Sequence, residues 1–157
     1  MYSKSTLERY SDNLFLRKLK GYYELMKPRV MSLVIFTAFV GMFLAPGEIA
    51  SVNYIIVIIA IAIGAGSSAA INMWFDEDID RTMERTKIRP IPLGIVSKNE
   101  ALVLGIFTGT ISLILMQWYS NPLSTSLLLF TILFYIFIYT FWLKRTTSLN
   151  IVIGGAA

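Results

Sequence analysis

Long stretches without a single charge alternate with short charged blocks along this chain. Residues 30–45, 52–75, 101–119 and 123–143 are uncharged and dominated by apolar side chains. A bilayer's hydrocarbon layer is about 30 Å thick, and an α-helix crosses it in about 20 residues. The 24 residues of 52–75 can cross with some tilt, and the 16 of 30–45 can cross once flanking residues are counted. Pro46-Gly47 and Asn121-Pro122 supply turns after the first and third runs. A fifth apolar run starts at Leu149 and has reached nine residues at Ala157. The pattern predicts an all-α, multi-pass transmembrane helix bundle whose fifth helix is cut short, the N-terminal portion of a longer protein.

Residues 1–29 are different. They are polar, yet Leu14, Phe15, Leu19, Tyr22, Tyr23 and Met26 recur at helical spacing, which predicts an amphipathic helix on the membrane surface. The first apolar run begins too far along for a cleaved signal peptide, and Glu8, Asp12 and Glu24 speak against a mitochondrial presequence. The expected division is a segment 1–29 followed by a membrane domain 30–157.

Charge then gives an orientation. Of 14 Lys and Arg, seven precede the first span, five lie between the second and third, and two follow the fourth. All fall on one side, which the positive-inside rule assigns to the cytoplasm of a bacterial plasma membrane or the matrix of a mitochondrial inner membrane. A net charge of +4 carried in blocks beside apolar spans points to anionic lipid headgroups and not to nucleic acid. With 55% hydrophobic and 15% charged residues the chain departs from soluble composition. Absence of Cys and His excludes disulfides, Cys/His zinc sites and thiol nucleophiles, leaving oxygen ligands and a hard cation such as magnesium.

Small residues mark close helix contacts: Gly64, Gly66, Ser67, Ser68, Ala69 and Ala70 in one run, and Gly105 with Gly109 in another.

The chemistry-bearing stretch is 72–90. Asn72, Asp76 and Asp80 are four apart, so on a helix they share a face. Carboxylates one turn apart repel, and a divalent cation between them removes the repulsion. Arg81, Arg85 and Arg89 repeat the same rhythm, and arginine's planar fork suits phosphate. Pro90 sets an expected end of helix near Arg89. A solvated salt-bridge network is the plain alternative, but three acids at 76, 78 and 80 put like charges together.

The run N-x-W-x-D-x-D-x-D-x-x-M-x-R-T-x-x-R-P over 72–90 resembles the first aspartate-rich motif of the UbiA-type intramembrane prenyltransferases. Met73 stands where many members carry a second Asp after the Asn, which is similar to the heme-farnesylating branch. Lys27-Pro28-Arg29-Val30, Ala45-Pro46-Gly47, Lys144-Arg145-Thr146 and 150–157 extend the resemblance from about residue 22 to the end.

That resemblance implies a bundle of about nine helices around a lipid-open cavity, and a Mg²⁺-dependent transfer of a farnesyl group from farnesyl diphosphate to a vinyl group of heme B. Asp76, Asp80 and Asn72 would be the catalytic and metal-holding groups, with Asp78 ordering the loop. Arg85 and Arg89 would bind the leaving diphosphate. Tyr139 and Lys144 match the family's Tyr-x-x-x-Lys element with one extra residue between them. Heme A synthase or the cytochrome oxidase assembly machinery would be partners. The family's second aspartate-rich motif lies in the C-terminal half, so these residues alone are expected to be inactive. Prenylation of a quinone ring, or a transporter with an acidic loop, are the other readings. Uncharged spans speak against the transporter.

Overall fold

A computed structural model describes residues 4–46, 51–147 and 149–154. Helix α1 (Lys4–Leu25) and helix α2 (Pro28–Leu44) meet at a bend of 46°. The bend has a local cause. Pro28 suits the first helical position but disfavours α backbone in the residue before it. Lys27 accordingly takes a left-handed conformation, φ 51° and ψ 65°, alone among described non-glycine residues.

Helix α3 (Ser51–Phe75) forms the centre of the bundle, and α5 (Lys98–Tyr119) lies along it. Lipid gives apolar helices no solvophobic reason to associate, so close backbone approach must do it. The two candidate glycines sit in that seam. A methyl group on Gly105 would come within 2.5 Å of Ile71, and one on Gly109 within 2.6 Å of Ser67 Oγ. Two buried hydroxyls cross the seam: Ser67 Oγ donates to the Gly105 carbonyl at 2.7 Å, and Ser112 Oγ to the Ala60 carbonyl at 2.6 Å.

After Asp76 the chain continues as the short helix α4 (Glu77–Thr82). The helix expected to persist to about Arg89 stops there, with Met83 extended. Thr86 explains the early stop, because its Oγ1 folds back to donate to the Asp80 carbonyl at 3.1 Å. Successive turns carry the chain to Ser97, one of them built on Gly94 at φ 70°. A reciprocal Ser97–Glu100 cap then opens α5.

Helix α6 spans Pro122–Thr146. It starts as α-helix over Pro122–Leu133, widens to a π-helix over Phe134–Leu143 and closes with the turn Lys144–Thr146. The short α7 (Asn150–Gly154) follows. By length and composition Asn53–Phe75, Lys98–Tyr119 and Pro122–Thr146 can each cross a membrane, and the bent pair α1–α2, if taken as one span, makes a fourth. The molecule is an all-α membrane bundle.

The charged end is anchored by apolar packing. Leu25, Ala70, Met73, Ile91, Val96 and Ala101 form one buried cluster joining α1, α3, the turn segment and α5. That cluster holds the turns over residues 83–97 beneath α1 and against α3.

Candidate functional site

Asn72 closes the last turns of α3, and backbone hydrogen bonds from Asp76 to Asn72 and from Asp80 to Asp76 carry the helical path across the junction into α4. The three side chains therefore lie on one face, and that face is turned inward. Asn72, Asp76 and Asp80 are 1%, 0% and 2% exposed.

Buried carboxylates need countercharge, and three separate elements provide it. Lys144, at the end of α6, donates to Asp76 Oδ2. Arg89, in the turn segment, donates to Asp80 Oδ2 at 2.6 Å. Lys27, at the α1–α2 bend, donates to Asn72 Oδ1 at 2.7 Å.

Asn72 is the hub. Its Nδ2 donates to Asp76 Oδ2 at 2.8 Å and to Thr140 Oγ1 at 3.3 Å. One atom is left over: among the described residues nothing donates to the buried Asp76 Oδ1. An unsatisfied buried carboxylate oxygen is expensive.

The other sequence candidates separate. Asp78 is exposed and takes a two-pronged contact from Arg145 at 2.8 and 3.1 Å, which holds its carboxyl below the usual range. The same guanidinium donates to the Phe75 carbonyl at 3.1 Å and lies 4.4 Å from the Phe75 ring centre, tying α6 to the end of α3. Arg81 pairs with Glu77 at 2.6 Å, outside the cluster. Arg85 is exposed, so the rhythm of Arg81, Arg85 and Arg89 does not become one basic face. The early end of α4 is the reason. Tyr139 stacks on Tyr135, with ring centres 4.9 Å apart.

Two members of the cluster escaped the sequence reading. Thr140, 0% exposed, lies 68 residues from its partner Asn72. Lys27 stands in a Lys-Pro-Arg run, and the proline after it is the available signal for a bend that turns a lysine inward.

Beside the cluster lies a cavity of about 430 Å³, lined by Lys27 and, among its apolar walls, by Val34, Ile61, Ala65, Leu128 and Ile132. Among the described residues no three carboxylates converge. Two carboxylates, one of them with an orphaned Oδ1, and an amide oxygen still suit magnesium, which takes one or two protein carboxylates and completes its shell with phosphate and water. Carboxylates, cations and an apolar cavity thus meet at one end of the bundle.

A family model described as the UbiA prenyltransferase family matches residues 34–157. Relatives include proteins named protoheme IX farnesyltransferase from Pelagibacter ubique, 53% identical over 135 residues, and Sinorhizobium fredii, 56% identical over 138. Another, from Rhizobium etli, is 55% identical over 138 residues. These alignments cover 86–88% of this chain but 43–45% of each relative. The chain thus spans a little under half the length of the curated relatives it matches.

Proposed function

The chain belongs to the UbiA prenyltransferase family, and on that premise we propose that the full-length protein moves a farnesyl group from farnesyl diphosphate to a vinyl group of heme B, giving heme O. The name shared by the relatives supports the heme acceptor. The observation that carries the reading is Asp76: fully buried, one oxygen on Lys144 and Asn72, the other without a partner.

In this reading Asp76 and Asp80, with Asn72, hold Mg²⁺. Magnesium bound there would offset charge developing on the diphosphate oxygens. Lys27, Lys144 and Arg89 supply the remaining countercharge as fixed or half-buried cations. Arg89 offers a fork for paired phosphate oxygens, and the lysines offer point charges. The apolar walls below Lys27 accommodate the isoprenoid and keep water from the allylic cation formed as the C–O bond breaks. A vinyl carbon of heme then forms the new C–C bond, and water adds to the resulting cation to leave a hydroxyethylfarnesyl group. Asp78, through Arg145, orders the junction between α3 and α4. Arg85 would reach the diphosphate only by a change of loop conformation. The charged end faces the cytoplasm or mitochondrial matrix, following the lysine and arginine distribution.

The test compares Asp76→Asn and Asp80→Asn in the full-length protein, following magnesium-dependent conversion of heme B to heme O, with 4-hydroxybenzoate offered in parallel. Loss of heme O formation in both variants is expected. Unchanged turnover would remove the assignment, and prenylation of 4-hydroxybenzoate in place of heme would transfer it to the quinone-ring branch.

A further inference from the structure

Asn72 has a polarity problem that its two carboxylate neighbours do not share. A carboxylate has two like ends, whereas an amide has an oxygen on one side and an NH2 on the other. Only one orientation of Asn72 offers an oxygen ligand to the site. We infer that Thr140 is a positioning residue that fixes this orientation.

The geometry is specific. The Thr140 hydroxyl has one proton, and it is given to the Tyr135 carbonyl at 2.9 Å, five residues back. That acceptor lies within the π-helical stretch Phe134–Leu143, whose wide winding pairs positions five apart. With its proton engaged, Thr140 Oγ1 can only accept, and what it accepts is Asn72 Nδ2. The amide nitrogen is thereby held on the α6 side, and Oδ1 is left facing Lys27. Both residues are essentially without solvent, Thr140 at 0% and Asn72 at 1%, so water cannot substitute. Asp76 Oδ2 also accepts from Asn72, but that oxygen is shared with Lys144. Thr140 is the acceptor that stays in place whichever cation Asp76 serves.

The inference rests on the proposed role of Asn72 as an oxygen ligand, and its test separates the two. Magnesium pyrophosphate is titrated calorimetrically into the full-length protein, with thermal unfolding measured alongside. Thr140→Val keeps the shape and loses the acceptor. Affinity should fall by about tenfold or more, since outer partners of metal ligands typically carry about 10–100-fold, beyond the modest fall in unfolding temperature that the lost buried hydrogen bonds bring. Thr140→Ser, which keeps the hydroxyl, should restore wild-type affinity. In an Asn72→Asp background the ligand has two like ends, so adding Thr140→Val should cost nothing further. A residue that merely filled space would give the same loss in both backgrounds. Equal binding by wild type and Thr140→Val would overturn this inference alone, as would equal losses with Asn72 and Asp at that position. Absence of magnesium pyrophosphate binding by the wild type would overturn the reading of the whole site and this inference with it.

Discussion

Helix α3 presents two opposite solutions to burying polar groups inside a bilayer. Toward α5 its polar residues are Ser67 and others of small size, and the hydroxyls of Ser67 and, from the partner helix, Ser112 are spent on backbone carbonyls. Toward α6 and the α1–α2 bend it carries Asn72 and leads into Asp76, with a carboxylate oxygen left unsatisfied. The first seam is complete as it stands. The second is held together by cations borrowed from three other elements. The contrast separates packing from ligand chemistry better than burial does, because both faces are equally dry.

Four changes test that division. The largest effect should come from Lys144→Met, which strips Asp76 of its cation. Breaking a fully buried pair costs about 3–5 kcal/mol, and somewhat less is expected here because Lys144 is 27% exposed. Unfolding temperature in detergent should drop without magnesium and recover in part when magnesium is added. Gly105→Leu attacks the other face by forcing a side chain into Ile71 and the Ser67 carbonyl. Overpacking of this kind costs about 1–3 kcal/mol, and magnesium should restore none of it. Were magnesium to rescue Gly105→Leu, the two faces would not be independent.

Ser112→Ala is gentler. Interhelical hydrogen bonds in membranes average about 0.6 kcal/mol, so a small fall in unfolding temperature with unaltered turnover is expected. The smallest effect concerns α1, which is held to α5 by Lys18 and Glu100 at 2.5 Å. Exposed pairs of this kind are screened by salt. Protease protection of α1 should weaken under high salt, and Glu100→Gln should remove that salt dependence.

The spans were legible because charge is absent from them, and charge is the costliest thing to place in lipid. Asn72, Asp76 and Asp80 were legible as one face because the helical path continues through them. The arginine rhythm misled because helical spacing says nothing once Thr86 and Pro90 turn the chain, leaving Arg89 on Asp80 and Arg85 outside. Lys27 and Thr140 were out of reach for another reason. Their partner Asn72 is 45 and 68 residues away, and local periodicity carries no information on which helices become neighbours.

The widened coil in α6 also sets a depth. Twenty-five residues wound as ordinary α-helix would measure about 37 Å, several ångströms more than the oily layer they cross. Winding ten of them more loosely shortens the rod without deleting anything. Its final ammonium is thereby drawn back to the foot of the neighbouring helix, where Asp76 accepts it, and the surplus length is taken up as girth.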